Sequence, residues 1–139
     1  MMRENRLRIG FTCSAFDLLH AGHVEMLREC KSQVDYLIVG LQTDPTIDRP
    51  DRKQKPVQTM YERYVQLRAC KYVDEIIPYE SEWDLINLLG IEPITHRFVG
   101  VEYKDTFLTG QDICEKRGIE IVYNERNHKY SSTELRGRC

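Results

Sequence analysis

The chain has 139 residues, 20 of them basic and 22 acidic, with a formal net charge of −2. That length suits one domain spanning 1–139 with a proper core, since domains most often run to roughly 100–150 residues, and the mixed charge excludes electrostatic capture of nucleic acid or of an anionic membrane as the main activity. Five scattered cysteines with no C-x-x-C pair exclude a disulfide framework or zinc knuckle and fit a reducing cytoplasm, while no apolar run suits a signal peptide or reaches the ~20 residues that span a bilayer.

Apolar, β-branched runs alternate with helical stretches, which predicts βαβ units around a parallel sheet. "LRIGFT" (7–12) reads as the first strand and "AGHVEMLRECK" (21–31) as a helix with Val24, Leu27 and Cys30 near one face. "VDYLIVGL" (34–41) is a second strand, apolar enough to be buried on both sides. After it, 42–58 is polar and punctuated by proline, the kind of long loop that is usually functional, and it holds the basic cluster Arg52, Lys53 and Lys55. A helix follows over 59–71, with Met60, Tyr64, Leu67 and Cys70 on one face, then a third strand over 73–79. "EWDLINLLG" (82–90) predicts a helix stopped by Gly90. A fourth strand (96–101), a helix (111–118) and a fifth strand (119–124) complete the alternation. Ser131 and Glu134, spaced as a capping box, predict a last helix in "SSTELRGR".

Open parallel sheets bind ligands beyond the carboxyl ends of their strands. The segments expected there are Ser14 to His23, the 42–58 loop, Gly100 to Lys104 and Arg126 to Thr133. All four offer imidazole, lysine, arginine, hydroxyl or backbone N–H donors suited to phosphate. His20 and His23 flank Gly22, where a ligand can approach the backbone closely. Two ring N–H donors on a rigid turn would stabilise charge developing on a phosphoryl group, and neither need abstract a proton.

At these residues the chain resembles the H-x-G-H nucleotidyltransferase superfamily. "FDLLHAGH" (16–23), "DYLIVGLQTD" (35–44), "KPV" (55–57), "ER" (62–63), "KYVDEIIP" (71–78) and "SST" (131–133) fall in the order found in bacterial glycerol-3-phosphate cytidylyltransferases, across about residues 7–136. The resemblance implies a Rossmann-like α/β fold, with an open parallel sheet of about five strands flanked by helices, and a homodimer. It implies an enzyme in which a substrate phosphate attacks the α-phosphate of a nucleoside triphosphate, CTP or ATP, with Mg²⁺ accompanying the triphosphate and no metal held by protein side chains. His20, His23 and Lys55 match the family's catalytic groups. Nucleotide contacts are implied for Ser14, Ala15, Phe16, Gly22, Arg63, Gly100, Glu102, Arg126, Ser131, Ser132 and Thr133, and acceptor contacts for Asp17, Asp44, Lys53 and Trp83.

Three stretches depart from that pattern. "NHKY" (127–130) follows Arg126 where cytidylyltransferases have T-E-G-I, "GVEY" (100–103) replaces a G-D-D-W-like stretch, and "CSAFD" (13–17) replaces G-T-F-D. These leave base and acceptor open. The expected function is CMP transfer from CTP to a small phosphorylated alcohol such as glycerol-3-phosphate. The alternatives are an adenylyltransferase using ATP and a sugar phosphate, similar to the domains of heptose activation that also carry "FD-L-HAGH", and a nucleotide-binding module without turnover. Trp83, Tyr64 and Tyr103 are read first as packing residues, His96 as structural, and His128 as a base contact or a solvated side chain.

Overall fold

The computed structural model describes residues 6–47, 49–51 and 54–124. The expected alternation is present there: β1 (Ile9–Ser14), α1 (Ala21–Lys31), β2 (Tyr36–Gln42), α2 (Met60–Arg68), β3 (Glu75–Tyr79), α3 (Glu82–Ile91), β4 (His96–Gly100), a 3₁₀ turn (Val101–Tyr103), α4 (Gln111–Arg117) and β5 (Glu120–Asn124). The five strands form one sheet in the order β3-β2-β1-β4-β5, and every pairing is parallel. The predicted helix in 131–138 lies outside the described residues.

Strand alternation sorts the apolar side chains into two layers. Phe11 and Ile38 pack with Leu85, Leu88 and Leu89 of α3 and Cys114 of α4 on one face. Leu37, Val39 and Leu41 pack with Leu27 and Cys30 of α1 and Leu67 of α2 on the other. β2, between β1 and β3, is buried from Leu37 to Gln42, as its unbroken apolar run predicts. Gly10 sits where β1 meets this second layer. A Cβ there would lie 2.7 Å from Phe98 Cε2 and 3.1 Å from both Val34 methyls. Gly10→Ala should therefore cost about 1–3 kcal/mol through overpacking, read as a lower denaturant midpoint at unchanged slope.

Local chemistry sets the helix limits. α2 and α3 begin with reciprocal capping boxes, Thr59 with Glu62 and Ser81 with Asp84. Gly90 does not stop α3, contrary to the sequence expectation. The helix runs to Ile91, and its C-cap Glu92 is extended (φ −72°, ψ 147°). The residue after Glu92 is Pro93, whose ring disfavours a helical conformation in its predecessor. Gly118 does act as a left-handed cap, ending α4 at φ 71°.

β1, β2 and β3 step outward in one direction and β4 and β5 in the other. The order therefore switches between β1 and β4, and the carboxyl ends of those two strands, Ser14 and Gly100, flank the crevice where open α/β sheets place ligands.

Candidate active site

The histidine pair begins α1. His20 is the N-cap, and its Nδ1 accepts a hydrogen bond from the Gly22 N–H at 3.0 Å. His23, three residues on, returns the arrangement, its Nδ1 accepting from the His20 N–H at 3.2 Å. The two rings stack with centroids 3.9 Å apart, and Phe16 leans on His23 at 5.4 Å. This is a capping box in which imidazoles replace the usual hydroxyl and carboxylate. Because each Nδ1 accepts a backbone hydrogen, the hydrogen-bond network assigns the proton of each neutral ring to Nε2. Two Nε2–H donors are thus fixed at a helix N-terminus with no acidic residue in its first turn, where backbone N–H groups and the helix dipole favour anions.

The turn leading to the pair is strained. Phe16 and Leu18 have φ values of 50° and 52°, a region that costs non-glycine residues about 1–3 kcal/mol unless their surroundings enforce it. Here they do. The Asp17 carboxylate accepts from the N–H groups of Val57 and Gln58 at 2.9 and 3.0 Å, and Gln58 Oε1 accepts from the Leu18 N–H at 2.8 Å.

Arg63 ties the same turn to the end of β2. Its guanidinium donates to the carbonyls of Ala15 (3.0 Å), Gln42 (2.7 Å), Thr43 (2.6 Å) and Gln58 (3.2 Å). Only 2% of the residue is exposed. Burial draws its pKa below the usual arginine value, opposed by the nearby charges of Asp17 and Asp44. Arg63, expected at the phosphates, in this structure spends hydrogen bonds from all three nitrogens on backbone, and Asp17, expected at the acceptor, spends its carboxylate on the loop that carries Lys55.

Lys55 and Asp44 come together at the two ends of that loop, with Nζ 3.9 Å from Oδ2. The lysine side chain is 81% exposed, so the pair is a weak tether. Asp44 Oδ1 accepts from the Thr46 N–H and hydroxyl at 2.9 and 2.6 Å, and these two bonds, ahead of the Lys55 charge, hold its pKa below the usual carboxylate range. A carboxyl depressed in the folded state adds stability that is complete above its unfolded pKa of about 3.9 and is lost as pH falls through the native value. Urea midpoints should therefore drop between about pH 5 and pH 3, and Asp44→Asn should flatten that slope.

Ser14 and Gly100 end their strands at the crevice, and Glu102 lies in the 3₁₀ turn after β4, folded back on Gly100. Trp83 stands apart from the histidines, in the first turn of α3 on the opposite face of the sheet, and is 74% exposed. That corrects its reading as a packing residue. Tyr103 is also exposed, whereas Tyr64 packs on the second layer. Lys53, Arg126, Ser131, Ser132 and Thr133 lie outside the described residues, as do Arg52 and His128. Gln58 was not singled out in the sequence, and no local signal marks a glutamine that bonds forty residues back. The broad depression at the amino ends of the strands, bordered by Arg8, Asp35, His96 and Arg117, is at the wrong edge for this chemistry. Two of its arginines are engaged, Arg8 with Asp35 and Arg117 with the carbonyls of Leu89 and Glu92.

An open parallel sheet, a switch point between β1 and β4, and phosphate-type donors capping the helix after β1 define the α/β class whose ligands bind at the carboxyl edge. The match to a family model is specific. Residues 11–138 fit the cytidylyltransferase-like model, and the chain belongs to that family. It is 35% identical to the bifunctional protein HldE of Nitrobacter winogradskyi over 96% of its own length and 27% of that protein's. It is 39% identical to an ethanolamine-phosphate cytidylyltransferase of Arabidopsis thaliana over 64% of its length and 22% of that protein's. The chain thus spans about a quarter of the curated relatives it matches. Its fold superposes with a TM-score of 0.68 on a lipopolysaccharide core biosynthesis protein from Thermoplasma volcanium, at 24% identity, covering 91% of this chain and 100% of that one.

Proposed function

We propose that this chain transfers a nucleotidyl group from CTP to the phosphate of a small phosphorylated alcohol, with glycerol-3-phosphate among the candidates, and releases pyrophosphate. The observation that carries the reading is the double-histidine cap, two Nε2–H donors held at the N-terminus of α1 beside the switch point. Family membership supports it.

An oxygen of the acceptor phosphate forms a bond to the α-phosphorus, and the bond from that phosphorus to the oxygen bridging to the β-phosphate breaks. A phosphate monoester has its second pKa near ~6, so the nucleophile is already ionised at neutral pH and no general base is needed. What is needed is stabilisation of negative charge moving onto the departing pyrophosphate. His20, His23 and the α1 N-terminus supply fixed donors for it, and Lys55 a mobile cation. Among the described residues no three histidine, cysteine or acidic side chains gather as a metal cage. Asp17 is committed to backbone N–H groups. Mg²⁺ would enter with the nucleotide, carried by the triphosphate oxygens. Bound so, it would neutralise phosphate charge.

A second reading, ATP with a sugar phosphate, is favoured by the extent of the HldE match, 96% of this chain against 64% for the cytidylyltransferase. The proposal includes a cytoplasmic homodimer, which light scattering would check. The deciding experiment is pyrophosphate release with Mg²⁺ and CTP or ATP in parallel against phosphorylated alcohols and sugars. CTP-dependent release supports the first reading and ATP-dependent release the second. Nucleotide binding without pyrophosphate release from any pair rejects both and leaves a binding module.

A further inference from the structure

Gln58 joins the two segments that carry the phosphate-type donors. Its Oε1 accepts from the Leu18 N–H at 2.8 Å, its own N–H donates to Asp17 Oδ1 at 3.0 Å, and its carbonyl accepts from Arg63 Nε at 3.2 Å. The neighbouring Val57 N–H donates to Asp17 Oδ2 at 2.9 Å. Among the described residues no hydrogen bond between two backbone groups links the 16–18 turn to the 55–58 segment. The junction is made by side chains, and Gln58 supplies the one that reaches closest in sequence to the histidine cap.

Both sides of this junction are stiff. Leu18 is held at φ 52°, a conformation that non-glycine residues keep only where their surroundings enforce it, and it stands two residues before His20, the N-cap of α1. On the other side Pro56 separates Lys55 from Val57. A proline ring fixes its own φ at about −65° and biases the preceding residue, here Lys55, to an extended backbone. Few backbone rotations therefore remain between the bonds of Val57 and Gln58 and the lysine Cα. Beyond that Cα the Lys55 side chain is 81% exposed, so a mobile ammonium stands on an anchored backbone. Arg63 also braces the turn, donating from Nη1 to the Ala15 carbonyl at 3.0 Å, and the Gln58 amide adds a tie between that turn and the segment of the lysine.

Resting on the nucleotidyltransferase reading above, we propose that Gln58 is a positioning residue, whose side-chain amide sets the Lys55 backbone against the histidine turn so that the ammonium and the two imidazole Nε2–H donors act on the same polyphosphate. The chemistry asks for such a tie. Charge developing on the departing pyrophosphate is stabilised best by donors already in place, and a displacement of about 1 Å can cost about 10²-fold in rate. His20 and His23 are held in place by the α1 cap. Lys55 has only the weak pairing with Asp44 at 3.9 Å to orient its side chain, and the Gln58 bond supplies its reference to the histidines. Gln58 acts through Lys55 and contacts no reacting atom.

The test uses the full chain with Mg²⁺, its preferred nucleotide and its preferred acceptor, at a temperature well below the thermal midpoint of each variant. Gln58→Met keeps the length of the side chain and removes its acceptor; it should lower kcat about 10²-fold with acceptor KM near wild type. Gln58→Glu keeps an acceptor for the Leu18 N–H and should return kcat to within about fivefold of wild type. Lys55→Ala should cost at least as much as Gln58→Met. In that background the Gln58→Met change should alter kcat by less than about threefold, because a residue that acts through Lys55 then has nothing left to position. Pro56→Gly leaves the bonds of Gln58 in place and loosens only their link to the lysine, so it should lower kcat about tenfold and reads the tie even if Gln58→Met does not fold. Normal turnover in Gln58→Met or in Pro56→Gly, or an equal loss from Gln58→Met with and without Lys55, would overturn the inference and leave the nucleotidyltransferase reading intact. Absence of pyrophosphate release from the wild type with every acceptor would overturn both.

Discussion

His20→Asn should fold as the wild type does and lose about 10²–10³ in kcat, the cost of removing one transition-state donor. Alanine alone is a blunt probe, because His20 caps α1 through Nδ1 and losing a cap costs about 1 kcal/mol by itself. Asparagine is among the best N-cap residues. Its short amide can take over the Gly22 N–H, but it cannot also place a donor where the imidazole Nε2 stands. Stability and turnover are thereby separated. His23→Ala should show a similar loss of kcat with a smaller structural effect, since it removes only the reciprocal half of the box. Two normal enzymes would mean that the stacked pair is only a helix cap. Thermal melts beside steady-state kinetics decide it.

Arg63→Ala should be the most destabilising change in the site, by about 3 kcal/mol. The side chain is buried and bonded to four carbonyls drawn from the first turn, the end of β2 and the segment before α2. Removing it leaves those carbonyls without their charged donor and unlatches the Lys55 loop from the strained turn. Arg63→Lys should recover little, because a single ammonium cannot reproduce the guanidinium fork. The sequence expectation that Arg63 touches nucleotide predicts a different pattern, a raised nucleotide KM at nearly unchanged stability. Urea unfolding of both variants, with amide signals of Val57 and Gln58 as local reporters, separates a positioning role from direct contact.

The sheet and its helices were legible because their signals are local. The apolar run of β2 and the spacing of Leu27 and Cys30 reflect burial within a few residues, and the limits shifted only where end chemistry intervened, as at Glu92–Pro93 beyond Gly90. The histidine pair was legible for the same reason, being three residues apart around a glycine. Its reciprocal use of Nδ1, which fixes the proton on each Nε2, was not, since tautomers depend on hydrogen-bond geometry.

Least legible were partnerships between distant segments. Asp17 bonds N–H groups of Val57 and Gln58, and Arg97 reaches Thr109, which reaches Glu82. The resemblance placed Arg63 at the nucleotide, yet it is buried because three loop ends converge on it. Such positions are fixed by tertiary packing, which periodicity does not encode.

The central claim is that the α-phosphorus leaves pyrophosphate and joins the acceptor phosphate. Phosphorus-31 spectra of a reaction containing nucleoside triphosphate, Mg²⁺ and the best acceptor test this directly, run with wild type and His20→Asn side by side. The account predicts equal amounts of pyrophosphate and a new diphosphate diester from the wild type, and both at a small fraction of that rate from the variant. Orthophosphate with nucleoside diphosphate, or equal rates from the two proteins, would contradict it.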